Sequence, residues 1–158
     1  MTDIINPNDV RWAAMDYLSR REHLCAELET KLLKRFQGPE VNAEALAALV
    51  TATVADLSRE NLQCDQRYCD AYVHMRSNRG YGPQRIRQEL RQKGAATAQI
   101  LQAMDACETD WFELARLTRH KKFGPELPAD IKEKSKQLRF LQYRGFGGDY
   151  ASVAFKSD

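Results

Sequence analysis

The sequence contains no long apolar run. Its uninterrupted hydrophobic stretches are a few residues long, too short to cross a bilayer. Residues 1–9 carry no basic segment and no apolar core, so they are not expected to act as a secretory signal. Stiff β-branched aliphatics are scarce: six valines and five isoleucines stand against 16 leucines and 19 alanines. No segment alternates with period two for long, which argues against sheet and for an all-helical protein. The four cysteines, at 25, 64, 69 and 107, fit no zinc spacing. They are expected to be reduced core thiols in a cytoplasmic protein. Phosphate loops of the GxxxxGK[ST] type, HExxH motifs, His/Cys clusters and GxSxG elbows are all absent. His23, His74 and His120 each stand alone. The chain therefore reads as a binding module without catalytic residues, cofactor or metal, and not as an enzyme.

What is present is unevenly distributed charge. The formal net charge of +2 over 158 residues hides a division. Residues 1–66 carry 7 basic and 11 acidic side chains, and residues 67–158 carry 17 and 11. The basic excess gathers in residues 67–93 (7 against 2) and 116–144 (9 against 3), with Asp105, Glu108, Asp110 and Glu113 between them. Such blocks point to a basic surface for phosphates or for an acidic protein groove; the plain alternative is a solvated helical face.

Helical periodicity runs through the chain. Val10, Ala13, Ala14, Tyr17 and Leu18 share one face, with Asn8 or Asp9 as cap. Leu24, Leu28, Leu32 and Phe36 form the next stripe, closed by Gly38-Pro39. Leu46, Val50, Val54 and Leu57 form a third behind Asn42. Asn61 suits a left-handed helix end and Asp65 can cap a fourth helix carrying Tyr68, Tyr72 and Val73. After Gly80-Tyr81-Gly82-Pro83 a fifth starts at Pro83, anchored by Ile86 and Leu90, and its arginines are expected to point to solvent. A short sixth holds Ile100, Leu101 and Met104, and a seventh from Asp110 holds Trp111, Leu114, Ala115 and Leu117. An eighth spans about 129–144 with Ile131, Leu138 and Leu141 inward, and a last short one holds Tyr150 and Val153. The Gly80–Pro83 turn could act like a helix-hairpin-helix loop, its backbone N–H groups holding a phosphate; the bland reading is a tight turn with the aromatic packed on the hinge.

The helices group in threes, with degenerate similarity between groups: Tyr17-Leu18 before Leu28 and Leu32 parallels Tyr72-Val73 before Ile86 and Leu90. The expected fold class is all-α, three tandem three-helix repeats over residues 1–62, 63–108 and 109–158, stacked into an elongated, curved body.

The stretch Asp65-Gln-Arg-Tyr-Cys-Asp-Ala-Tyr-Val73, with Arg76, Gly80–Pro83, Arg85-Ile-Arg-Gln-Glu-Leu90 and Lys93-Gly94, resembles the central repeat of the RecX family, regulators of the RecA recombinase. Tyr17-Leu18, Arg21-Glu-His23 and Glu27-Leu28 resemble its first repeat. Asp110-Trp111, Lys122-Phe123-Gly124 and Arg139-Phe-Leu-Gln-Tyr-Arg-Gly-Phe146 resemble its third. Three positions depart from the pattern: Leu24 replaces a capping Ser or Thr, Asn61 and Cys64 replace Gly and Asp, and Ala96 lacks a polar cap.

The resemblance implies inhibition without catalysis. Such a protein binds the groove of the RecA filament on single-stranded DNA and blocks or reverses its growth. RecA ATPase, strand exchange in homologous recombination and SOS co-protease activity all fall as a result. The expected partners are the RecA filament and single-stranded DNA within it, met by a monomer with no membrane role. The candidate contacts are Arg76, Arg79, Tyr81, Arg85, Arg87, Arg91 and Lys93, then Lys121, Lys122, Arg139 and Arg144. The alternative is a general DNA-binding helical protein acting in repair without touching the recombinase.

Overall fold

The computed structural model describes residues 4–156. Among these it forms nine helices and no strand: α1 (Pro7–Arg20), α2 (Cys25–Phe36), α3 (Ala43–Arg59), α4 (Asp65–Asn78), α5 (Pro83–Gln92), α6 (Thr97–Ala106), α7 (Trp111–Phe123), α8 (Ile131–Tyr143) and α9 (Gly148–Val153). They form three consecutive triplets, and the closest helix–helix packing falls inside triplets: α1, α2 and α3 on one another, α5 on α6, and α7, α8 and α9 on one another. No described helix is long and apolar enough to cross a membrane. By its contacts the chain divides into two compact units, Met1–Tyr68 with Lys93–Ala95, and Cys69–Gln92 with Ala96–Asp158.

In the first unit, Val10, Ala13, Ala14, Leu28, Leu32, Leu46, Val50, Val54 and Leu57 make a continuous apolar core. The cap of α1 is Asn6, ahead of both expected candidates, Asn8 and Asp9. Asn6 accepts from the Asn8 N–H at 2.9 Å and Pro7 takes the first helical position, where a missing N–H matters least. Asn42 caps α3 as its sequence position suggests, accepting from the Ala45 N–H at 3.0 Å. Asn61 takes φ 60°, the left-handed conformation that asparagine tolerates.

Leu24 offers α2 no side-chain cap, and the vacancy is filled from 40 residues away. The Asp65 carboxylate accepts from the Cys25 N–H and from Gln63 Nε2, both at 2.8 Å, while Gln63 Nε2 also donates to the His23 carbonyl at 3.0 Å. A helix cap is worth about 1 kcal/mol. Asp65 therefore serves α2; it lies inside the first turn of α4, not ahead of it.

Buried among these groups, His23 has one consistent protonation state. Its Nδ1 is 3.0 Å from the Arg21 carbonyl and its Nε2 is 3.1 Å from the Lys31 ammonium. A carbonyl only accepts and an ammonium only donates, so the ring is neutral with its proton on Nδ1. Burial, above all, holds its pKa below the ordinary 6.5. Burial likewise pushes the Cys25 thiol up to about 11, aided by Asp65, which leaves it inert as a nucleophile at neutral pH. All four cysteines are free thiols; Cys69 is buried and the other three half-buried.

In the second unit, Asp110 caps α7 and Asp130 caps α8, each accepting from the N–H three residues on. α8 thus begins at Ile131, which is 84% exposed and not an inward residue; Leu141 is fully buried and Leu138 half-buried. Leu117 of α7 is also about half exposed. The last triplet closes around Ala115, Leu141, Phe146, Ala151 and Ala154. Beside that core sits a buried arginine. Arg119 donates to the carbonyls of Ala154 (2.9 Å), Glu126 (3.1 Å) and Pro125 (3.4 Å) and to Gln137 Oε1 (3.2 Å). It ties the 124–128 loop and the end of α9 to α7, with neutral acceptors compensating its desolvation.

Candidate partner-binding surface

The Gly80–Pro83 turn positions most of the candidate residues. Gly80 takes φ 82°, and its N–H and that of Tyr81 close the end of α4 on the Ser77 and Arg76 carbonyls, at 2.9 and 3.1 Å. The next N–H groups go elsewhere: Gly82 donates to the Arg144 carbonyl at 2.7 Å and Gln84 to the Gly145 carbonyl at 3.2 Å. The backbones touch because both partners are glycines. A Cβ on Gly82 would sit 2.5 Å from the carbonyl carbon and oxygen of Gly145. The N–H groups that a helix-hairpin-helix loop would offer a phosphate are thus committed to the end of α4 and to the turn after α8. The bland reading of the turn is the correct one.

Around this joint three arginines converge on one ring. The guanidinium carbons of Arg76, Arg144 and Arg85 lie 3.6, 4.6 and 4.7 Å from the centre of Tyr81. One carboxylate serves the group. Glu89 accepts from Arg76 (2.6 Å), the Tyr72 hydroxyl (2.7 Å) and Arg85 Nε (3.2 Å). Burial pushes the Glu89 carboxyl up, but the hydrogen bonds from Tyr72, Arg76 and Arg85 outweigh it and hold the group below the usual carboxylate range. Arg85 also donates to the Tyr143 carbonyl at 3.1 Å, and Arg144 to the Arg79 carbonyl at 3.0 Å.

These contacts sort the eleven candidates. Arg85 does not project into solvent as the helical wheel suggests: it is half-buried between Glu89 and two tyrosine rings. Arg76 and Tyr81 belong to the same joint, and Arg87 is half-buried too. Arg79, Arg91, Lys93, Lys121, Lys122 and Arg139 are exposed, Lys93 lying with the first unit. Four of the candidates, Arg79, Lys121, Lys122 and Arg144, line one cavity of about 370 Å³ between the end of α4, α7 and α8. Its remaining walls are Asn78, Gly80, Thr118 and the apolar Leu114, Leu117 and Phe140, with no carboxylate among them. An open pocket with four cations and an apolar floor is suited to an anionic partner. Sequence reasoning missed Glu89 as the hub, although its position four residues after Arg85 was a signal. It also passed over Arg119, three of whose four acceptors are backbone carbonyls that no side-chain motif announces.

Residues 65–104 match the family model for the second three-helix domain of RecX, and residues 108–152 that for the third. Regulatory protein RecX of Ectopseudomonas mendocina is 44% identical over 144 residues, covering 91% of both chains. The chain belongs to the RecX family. Regulatory protein RecX of Halorhodospira halophila is 40% identical, over 92% of this chain and 85% of its own. The fold is similar to the crystal structure of RecX from Lactobacillus salivarius, with a TM-score of 0.74 at 20% identity over 94% of this chain and 93% of that one. The RecX family is one of regulatory proteins, and the joint and cavity just described both lie in its second and third three-helix domains.

Proposed function

We propose that this chain is a negative regulator of RecA that binds the RecA–single-stranded DNA filament and blocks or reverses its growth, lowering ATP hydrolysis, strand exchange and co-protease activity. It acts by binding and not by chemistry of its own. The observation that carries this reading is the cavity lined by Arg79, Lys121, Lys122 and Arg144 with no acidic side chain. Placed against the filament, these cations meet DNA phosphates or acidic recombinase side chains. Arg91 and Arg139 extend the contact, and Arg76, Tyr81 and Arg85 shape it from behind.

The test is ATP hydrolysis by the cognate RecA on single-stranded DNA, titrated with this chain. Inhibition is expected, and it should weaken with salt as counterion release predicts. Lys121→Glu with Lys122→Glu should raise the inhibiting concentration by at least roughly tenfold, since reversal adds repulsion to lost attraction. Both lysines are exposed, so stability should shift by under about 0.5 kcal/mol for each. A folded double variant that inhibits like the parent removes the cavity from the interface. A parent that leaves RecA untouched ends the regulator reading.

A further inference from the structure

A second cavity, of about 350 Å³, shares no lining residue with the cationic one. Its walls include Gln84, Gln88, Gln92, Gln142, Arg85 and Tyr143. Tyr143 is 71% exposed, an unusual position for a ring at the end of a helix. Its backing is fixed. The Arg85 guanidinium lies 4.7 Å from the ring centre and is itself held by Glu89 at 3.2 Å and by the Tyr143 carbonyl at 3.1 Å. The Gln84 amide lies against Gly147, where an added Cβ would come within 2.3 Å of its Nε2, while the side chains of Gln88, Gln92 and Gln142 enter no hydrogen bond with other described residues. Each amide presents donors and an acceptor side by side. The single cation and single carboxylate of the cavity, Arg85 and Glu89, are bonded to each other.

We propose that this cavity is a stacking subsite for a nucleobase of single-stranded DNA, with Tyr143 as the platform and the glutamine amides meeting the base edge. The chemistry selects a flat, neutral, hydrogen-bonding heterocycle. A phosphate would find one cation, already neutralised; an aliphatic side chain would bury the amides unpaired. Arg91, exposed and one helical turn beyond Gln88, stands where the adjoining phosphate would run. Aromatic stacking tolerates any base, so the subsite grips the strand without reading its sequence. It rests on the proposed function only in taking single-stranded DNA as a partner.

The experiment measures binding of the whole chain to a thymidine oligonucleotide and to an abasic oligomer of the same length. Tyr143→Ala should weaken thymidine binding by roughly tenfold and leave abasic binding unchanged, while Tyr143→Phe should match the parent on both. In Tyr143→Trp, the thymidine strand should quench tryptophan emission beyond any change seen in the parent. A folded Tyr143→Ala with parental affinity, equal losses on both oligomers, or a parent that binds both oligomers alike or neither would each overturn the subsite. RecA ATPase, read on the same proteins, separates the two proposals. Inhibition without base-dependent binding overturns the subsite alone; base-dependent binding without inhibition overturns the regulator reading alone.

Discussion

Tyr81 and Tyr143 each carry Arg85 against the ring at 4.7 Å, yet they serve opposite ends. Tyr81 is half-buried under three guanidiniums at the joint between the α4–α5 turn and the turn after α8. Tyr143 keeps most of its surface in water. The difference lies in the backbone beneath them. At Tyr81 two glycine-bearing turns approach closely enough to exchange hydrogen bonds, and the side chains above are compressed into a cluster with one shared carboxylate. At Tyr143 the ring meets the Arg85 guanidinium and otherwise stays largely exposed. The same residue pair is therefore scaffold in one place and available surface in the other.

The hardest blow to the buried half of this comparison is Gly145→Ala. Gly145 has φ 99°, and an added Cβ would overlap the Arg85 Cβ and lie 2.7 Å from the Arg85 backbone nitrogen. The left-handed penalty and the forced backbone shift together should remove roughly 3 kcal/mol or more. For a chain of this size that is a fall in melting temperature of roughly 6–12 °C. Gly94→Ala is the control, with φ 93° but no atom within 4 Å, and should cost only about 1–2 kcal/mol. Equal losses at the two sites would mean the joint is looser than its geometry.

Next comes Glu89→Gln. It leaves Arg76 and Arg85 without their counter-charge, and Arg76 Nε is already buried with no hydrogen-bond partner. A loss of about 1–3 kcal/mol is expected in denaturant unfolding. Because the folded carboxyl is held below its ordinary 4.5, its contribution is complete above that value and disappears as pH falls through the depressed one. The variant should lose that acid limb.

A smaller effect separates this joint from the first unit. His23 is held neutral, with its pKa lowered by burial and by the positive charges of Arg21 and Lys31, partly offset by the Arg21 carbonyl and Glu27. The unfolded chain therefore binds the extra proton first, so stability is complete above about pH 6.5 and declines as pH drops below it. Melting temperature should fall between pH 7.5 and 5.5 in the parent and flatten in His23→Gln, whose amide does not titrate there. An unchanged slope would assign the neutral-range loss to another group. The mildest change for stability is the one at the exposed ring: Tyr143→Ala should move melting by little while altering strand binding.

Much of this architecture was legible beforehand. The cap at Asn42, the start of α7 at Asp110, the proline start of α5 and the left-handed Asn61 all follow from residues within a few positions of each other. The solvent-pointing assignment of Arg85 failed for a related reason. Ile86 and Leu90 do anchor α5, but a helical wheel knows only its own helix, and the groups that enclose Arg85 include a carbonyl 58 residues away. The inward assignment of Ile131 failed because Asp130 caps α8 there, and first-turn residues lie at its open end.

Sequence alone determined the helical content, the triplet rhythm and the concentration of positive charge beyond residue 67, because periodicity, capping and composition act over one or two helical turns. Tertiary structure alone decided which cations became scaffold. It brought Asp65 to the start of α2 across 40 residues and Arg144 to the Arg79 carbonyl across 65. It set Glu89 between two arginines and left Lys121, Lys122 and Tyr143 exposed. A guanidinium carries the same charge in the core and at the surface; only the packing of distant backbone decides whether a carboxylate, a carbonyl or water meets it.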